Sequence, residues 1–453
     1  MIVMKFGGSS VGDAQRIRTV LDLVRRELPR KPVVVASAHK GVTNLLVALG
    51  EQARAGVVDL SELERIHLSI ADALGVSQEP IRELLAELSV LLRGISLVRE
   101  LSPRSSDYVL SFGERMSCRT IAAFFTKNGL PAEAFDAGDI GLVTDDAFGE
   151  ARPIPEHEER LSHFLSGYQD RTGRIPVVTG FIGKSRGGDI TTLGRNGSDY
   201  SAALVGAAVG AEAIQIWTDV DGVMTADPSI IPEALPIDRM SFAEAAELAY
   251  YGGKVLHPAT LIPAIRKGIP VLVLNTFRPD APGTVITGEG TRCEGVAKSI
   301  VYKERQHIVN IESSRMLGRS GFLQRIFDIF GRLGVSINMV STSEVSVSVT
   351  IDDPRRLPEV EAELRQFADV TVERDKSIVC VVGEGMRSTP GVSAEIFSAV
   401  AEAGANVLMI SQGASHINIS FVVDDGDVKR VVKRLHDKFF AGRKALRPIG
   451  AAT

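Results

Sequence analysis

Three features of the sequence predict an α/β architecture with a mainly parallel sheet, followed by two copies of a small α+β unit. Continuous β-branched runs without polar alternation mark strands buried on both faces. Helix-length stretches alternate with those runs, as in a layered α/β domain. Near the C-terminus one segment occurs twice.

The first apolar run, "MIVMKF", ends at Lys5-Phe6 and meets a Gly7-Gly8-Ser9-Ser10 turn, with a helix expected over 13–28. "PVVVAS" (32–37), "IPVVTGFI" (175–182), "AIQIWT" (213–218) and "IPVLVLNT" (269–276) are the other buried strands. Helices are expected at 198–210, where Ser198 is a good N-cap, and at 241–250. Between 44 and 100 three helical patterns follow one another with no strand, a helical excursion beside the sheet. "SFGERMS" (111–117) places Glu114 at an expected helix start. "TGEGTRCEG" (287–295) is a Gly-rich linker, after which 321–352 realigns with 391–424. Gly321/Gly391, Ile326/Ile396, Gly334/Gly404 and Met339/Met409 then coincide. Each copy is a helix, a Gly turn and two strands. The expected domains are 1–288, 306–373 and 376–440, with interleaving of the last two left open.

The composition narrows the class. With 453 residues, 44% of them apolar and 24% charged, this is an ordinary globular chain large enough for several domains. A formal net charge of −5 gives no pull toward nucleic acid or an anionic membrane. The three cysteines, Cys118, Cys293 and Cys380, form no C-x-x-C pair, which fits a reducing compartment. No apolar run is long enough to span a bilayer and no secretory leader is evident, so a cytoplasmic location is expected.

The strand ends carry the candidate chemistry. A Gly-Gly turn after a strand fits both a tight corner and a phosphate cradle. It is not a P-loop, because the G-x-x-x-x-G-K-[ST] spacing is absent. "TTLGRNGSDYSAA" adds Arg195, able to fork onto a carboxylate or phosphate, beside Gly194, Gly197, Ser198 and Asp199. Thr218-Asp219 closes another strand and suits a nucleotide's sugar or base; a structural turn suits it nearly as well. The Asp219-x-Asp221-Gly222 run is not a calcium loop, since Ile230 stands where the bidentate Glu is needed. "YYGGKVLHP" caps a helix with Gly252-Gly253 and presents Lys254. "VVGEGMRS" fails as a dinucleotide fingerprint at Ser388. Lysines, an arginine and glycine amides form a set for neutralising anions, as phosphoryl transfer requires.

The blocks "KFGGSSV", "SAHKGVTNLL", "SFGE", "TGFIG", "TTLGRNGSDYSAA", "TDVDGVMTADP", "GGKVLHP" and "SEVSVSV" resemble those of the aspartate kinase family, in the same order and over nearly the whole chain. The resemblance implies a three-layer αβα amino-acid-kinase fold with two ferredoxin-like ACT domains where the repeat lies. It implies transfer of phosphate from ATP to the side-chain carboxylate of L-aspartate, with Mg2+ held mainly through the ATP phosphates and no protein metal site. By the same resemblance Lys5, Gly7, Gly8 and Ser9 hold phosphate, assisted by Lys254, while Thr218 and Asp219 contact the nucleoside. Ser37, Thr43, Gly197 and Ser198 lie beside the substrate. Arg195 clamps its α-carboxylate, Glu114 meets its ammonium, and Asp199 orients Lys5. The family also binds an end-product amino acid between paired ACT domains of a homo-oligomer. Met316, Gly321, Phe322, Leu323, Ser336, Asn338, Thr342, Ser343 and Glu344 match that site. Lysine-inhibited relatives tend to carry Asp at 338 and Ser at 319; Asn338 and Arg319 here leave lysine and threonine both open as effector.

Departures from the family pattern are Met224 for an aromatic, Ser229 for an Arg, Asn196 for a Gly, Gly253 for an Ala, and His39-Lys40 before Gly41. Two other readings compete: an amino-acid kinase with another acceptor, and a catalytically silent amino-acid sensor. A fused homoserine dehydrogenase is not expected, given how little sequence follows residue 440.

Overall fold

The computed structural model describes residues 1–253, 258–288, 296–316, 320–387, 389–413 and 417–442, and their secondary structure follows the expected alternation. The described residues fall into two compact units. The first holds Met1–Val223, Asp238–Phe242 and 258–288; the second holds Met224–Ile237, 243–253 and the described residues from 296 onward. The expected 1–288 domain thus lends two segments to the second unit.

In the first unit β1 (Ile2–Phe6), α1 (Ala14–Arg26) and β2 (Pro32–Ala36) open the chain. The helical excursion is α2 (Val42–Arg54), α3 (Ser61–Leu74) and α4 (Glu79–Val98), followed by the long α5 (Pro103–Lys127). These four helices share an apolar cluster that includes Leu46, Leu63, Leu88, Leu92, Phe112 and Met116, which explains why no strand is needed there. Then come β3 (Ala132–Phe135), β4 (Val143–Thr144), α6 (Glu156–Leu165), α7 (Tyr168–Thr172), β5 (Ile175–Thr179), β6 (Ile182–Ser185) and β7 (Ile190–Thr192). The tiny β4 was not legible in the sequence; its two residues carry no periodicity. α8 (Gly197–Ala208), β8 (Ala213–Thr218), β9 (Arg239–Ser241), α9 (Phe242–Tyr250), α10 (Pro258–Lys267), β10 (Val271–Asn275) and β11 (Thr284–Thr287) complete this region, α9 passing into the second unit after Phe242.

The main sheet runs β3-β5-β2-β1-β8-β10-β11-β9, and every neighbouring pair is parallel except β10 with β11. β1 and β2 are buried along their whole length, as their unbroken apolar runs require. β4, β6 and β7 form a small side sheet. α8 is built from small residues because it lies close on the sheet: a Cβ on Gly206 would come within 2.6 Å of Ile214. Its cap is Asn196, in the left-handed region (φ 54), so Ser198 lies in the first turn and not at the cap expected for it. α5 begins eleven residues before Glu114, with Ser102 accepting from the amide of Ser105 and Pro103 in the first turn. Glu114 therefore sits in mid-helix, and the expected helix start at that position is corrected.

The second unit carries a six-stranded antiparallel sheet, ordered β13-β14-β12-β15-β17-β16. Its members are β12 (Ser299–Glu312), α11 (Phe322–Arg332), β13 (Met339–Thr342), β14 (Ser346–Ile351), α12 (Leu357–Leu364), β15 (Asp369–Val382), α13 (Val392–Glu402), β16 (Met409–Ser411), β17 (Asn418–Asp424) and α14 (Val428–Phe440). Both long strands bend where one residue turns left-handed, Arg305 (φ 57) and Asp375 (φ 56), at equivalent places in the two copies. The front half of β12, Ser299–Lys303, pairs with Ile378–Val382, so the second copy takes its fourth strand from the chain that precedes the first copy. The copies interleave.

Several contacts bind the two lent segments into this unit. Thr225 Oγ1 lies 3.0 Å from His436 Nε2 on α14, and Ser299 Oγ donates to the carbonyl of Met224 at 2.9 Å. The ammonium of Lys298 reaches Glu244 at 2.7 Å with both side chains almost wholly buried. Breaking a buried pair by removing one partner costs about 3–5 kcal/mol. Lys298→Met is therefore expected to lower the urea midpoint of the second unit's transition, read by circular dichroism; an unchanged midpoint would contradict the contribution assigned to this pair.

Candidate active site

A cleft of about 710 Å3 opens in the first unit at the carboxyl ends of β1 and β2, where ligands collect in open α/β sheets. Its lining comes mainly from the turn after β1, the loop from β2 into α2, one face of α5 and the turn from β7 into α8, with Gly149 and Phe181 added from two other segments.

The turn after β1 contributes Gly7, Gly8 and Ser9. Gly8 is required by close approach, since a Cβ there would lie 3.0 Å from the carbonyl oxygen of Ala38. The N-terminus of α1 does not serve this turn, contrary to the strand–turn–helix expectation: Asp13 caps it, accepting from the amide of Arg16 at 2.9 Å. The helix ends that do line the cleft belong to α2 and α8. Their caps, Gly41 (φ 84) and Asn196, provide no side-chain hydrogen bond, and Thr43 and Ser198 of their first turns border the cleft. Such N-termini attract anions.

Lys5 is buried near the end of β1, its ammonium 2.5 Å from Asp199 Oδ1. The contact is a close ion pair, outside hydrogen-bond geometry at that oxygen. Arg195 stands exposed at the cleft, one residue beyond the left-handed Gly194 (φ 76). Glu114 is 3% exposed; its Oε1 accepts from the amide of Ala38 at 3.1 Å, while Oε2 has no partner among the described residues. Burial pushes its carboxyl up to about 8, against the opposing effect of the Ala38 amide. Gly113 makes this approach possible, as a Cβ there would lie 2.8 Å from that of Ala38.

The structure thus brings Lys5, Gly7, Gly8, Ser9, Ser37, Thr43, Glu114, Arg195, Gly197, Ser198 and Asp199 around one cleft. Thr218 and Asp219 do not border it; they close β8, the strand beside β1, with Thr218 Oγ1 donating to Asp219 at 3.2 Å. Lys254, like His257, lies outside the described residues. Sequence reasoning missed two groups. Asp107, 1% exposed, lines the cleft seven residues before Glu114 on α5, and that helical spacing from a chosen residue was the signal for it. His39 also borders the cleft and is fully buried, its ring 4.9 Å from that of His67. His39 Nδ1 sits 2.6 Å from the carbonyl of Val11, an acceptor only, so that nitrogen carries the proton. Burial holds the ring down to about 4 and hence neutral at pH 7.

The expected effector residues lie in the second unit, in two groups. Met316, Ser343 and Glu344 cluster, since the amide of Ser313 donates to the carbonyl of Val345 and that of Met316 to Ser313. Asn338 is at the far end of β13, about 13 Å from Thr342 at the usual strand rise. Its carboxamide is already engaged with Gln306, Lys303 and Tyr250. Gly321 caps α11 with φ 84 and Phe322 and Leu323 open that helix; part of the 318–323 loop lies outside the described residues. Ser229, where the resemblance implies an Arg, closes a local turn on Asp227 through its amide and hydroxyl.

Comparison with known proteins decides the family. The amino acid kinase family pattern matches residues 1–275, and an ACT-domain pattern matches 309–355 and 379–439. Aspartokinase 3 of Arabidopsis thaliana, a chloroplastic protein, is 43% identical, the match covering 97% of this chain and 81% of that one. The chain belongs to the aspartokinase family. The lysine-sensitive aspartokinase 3 of Escherichia coli is 35% identical over 97% of this aspartokinase and 99% of its own length. The solved structure of Escherichia coli aspartokinase III with aspartate and ADP, in its R-state, matches with a TM-score of 0.85 at 34% identity, covering 97% of this chain and 99% of that one. The T-state structure of the same enzyme with lysine and aspartate matches at 0.78 with the same coverage. The α/β kinase fold with ACT domains is thereby established for this aspartokinase. Among its described residues no helix is long and apolar enough to cross a membrane.

The raised carboxyl of Glu114 has a consequence for stability. Between pH 4.5 and about 8 the folded chain keeps a proton that the unfolded chain has released, so this group lowers stability as pH rises through that window and has no effect below it. Glu114→Gln removes the slope. Thermal melts across the window should show a flatter decline in the variant; parallel declines would refute the burial effect.

Proposed function

We propose that this cleft binds L-aspartate and the transferring phosphate of ATP, and that the chain phosphorylates the side-chain carboxylate to give an acyl phosphate. The observation that carries this reading is the convergence of Lys5, two uncapped helix N-termini and Arg195 on a cleft that also holds the unpartnered Glu114 oxygen. The solved complex of Escherichia coli aspartokinase III with aspartate and ADP supports the substrate pair.

The acceptor needs no general base, because a carboxylate with a pKa near about 4 is already ionised at pH 7. The barrier is repulsion between anions: two unit charges about 4 Å apart cost roughly 4 kcal/mol at an effective dielectric near 20. Lys5 and the α2 and α8 termini offset that cost where charge develops. Asp199 holds the Lys5 ammonium at the strand end. Glu114 receives the substrate ammonium on its free oxygen, and that cation draws its carboxyl into the ionised form. Arg195 forks onto the α-carboxylate. Ser37, Thr43, Gly197 and Ser198 border the same space. Thr218 and Asp219 contact the nucleoside, and Lys254 assists at the phosphates. Mg2+ would be held mainly through the nucleotide phosphates, where it would neutralise charge.

The second unit, with domain limits 306–373 and 376–440 extended by the strand at 299–303, binds a feedback amino acid, lysine or threonine. Its residues form two groups, one near each end of β13, which supports a site completed across a homo-oligomer. The enzyme acts in the cytoplasm, at the entry to lysine, threonine and methionine synthesis.

Lys5→Ala is expected to lower kcat about 100- to 1000-fold, the usual loss for one charge-stabilising donor. Trapping the acyl phosphate as a hydroxamate measures it, and near-normal turnover would sink the assignment. Glu344→Ala should raise the half-inhibitory concentration of the effector about tenfold, within the usual range of coupling. Inhibition curves for lysine and threonine read this, and superimposed curves would displace the effector site.

A further inference from the structure

Asp107 lies on α5 with its carboxylate against the end of β7. Oδ2 accepts from the amides of Gly149 at 2.9 Å and Thr192 at 2.8 Å, while Oδ1 accepts from the Thr192 hydroxyl at 2.9 Å. The group is 1% exposed and borders the cleft. Three segments meet on it. From Thr192 the chain continues through Leu193 and the left-handed Gly194 to Arg195. The 149–151 segment backs that turn: Ala151 donates its amide to the Thr192 carbonyl at 2.8 Å, and a Cβ on Gly194 would lie 3.2 Å from Glu150. The same α5 carries Glu114 two turns on, so residues 107 and 114 share one helix face, about 10 Å apart along the axis.

We infer that Asp107 is a positioning residue: it ties the turn bearing Arg195 to the helix bearing Glu114, and so sets the spacing at which an amino acid's carboxylate and ammonium are held. The inference rests on the recognition roles given above to Arg195 and Glu114. A carboxylate suits the position because it meets three donors and no acceptor, and the two on buried Thr192 would be left unsatisfied without it. Asparagine can meet the same geometry, its oxygen accepting both amides and its NH2 donating to the Thr192 hydroxyl oxygen. Alanine cannot. The tie holds the groups that bind the amino acid and touches none that bind the nucleotide, so its loss separates the two substrates kinetically.

The test is steady-state kinetics on the full chain, varying L-aspartate and ATP separately. Asp107→Ala should raise KM for L-aspartate by up to about 100-fold, the scale of a 1 Å misplacement, with KM for ATP within about twofold. Asp107→Asn should restore KM for L-aspartate to within about threefold of wild type, and Thr192→Val should fall between the two. Equal rises in both KM values, or no rise for L-aspartate, would overturn the positioning role. Should Asp107→Ala not fold, Thr192→Val decides on the same ratio. Arg195→Ala and Glu114→Gln run alongside: if they raise KM for L-aspartate and the Asp107 and Thr192 variants do not, the inference fails and the recognition roles stand. If Arg195→Ala leaves that KM unchanged, those roles fail and take the inference with them.

Discussion

A lysine on a fully buried central strand can place its charge only at the strand's end. Lys5 does so, and Asp199 in the first turn of α8 meets it there. Desolvating an ammonium is costly unless a carboxylate compensates, so the pair fixes where α8 begins relative to β1. That placement in turn requires the small-residue face of α8 that lies on the sheet, and the left-handed Asn196 that lets the chain enter the helix. The cleft exists because β1, β2 and α8 are held in this relation.

Charge in the cleft is balanced by structure as much as by side chains. Positive potential comes from Lys5, Arg195 and the termini of α2 and α8, none of which is closed by a capping side chain. The opposing carboxylates are each restrained: Asp199 by the lysine, Asp107 by three donors, Glu114 by a single amide and by burial. Of these three, Glu114 has a buried oxygen with neither a hydrogen bond nor an ion pair among the described residues, and such an atom is one that a ligand can satisfy. His39, neutral and wedged against His67, adds wall and no charge.

The second unit shows how a duplicated segment becomes one body. Each copy needs a fourth strand, and the crossing of β12 and β15 supplies both through two left-handed bends. The lent segments 224–237 and 243–253 are held in the same unit by His436, Lys298 and Asn418. Residues that follow β8 in the chain are thus built into the second unit.

Local chemistry was legible from residues alone wherever a strand, a turn and a charge are adjacent in sequence. The buried runs predicted β1, β2, β5, β8 and β10, the repeat predicted the paired α+β copies, and the Gly-Gly turn with Lys5 and the Arg195 block marked loops that line the cleft. What tertiary structure decided were relations between distant segments. Which helix terminus faces the cleft depended on Asp13 capping α1, while α2 begins on an uncapped glycine. The mid-helix position of Glu114 depended on a cap twelve residues upstream, and the part played by Asp107 on donors from Gly149 and Thr192. Periodicity and capping are properties of neighbouring residues, so a sequence declares them. Burial and hydrogen bonding between residues far apart in the chain arise only when the chain closes on itself, and that is where the charges of this cleft were set.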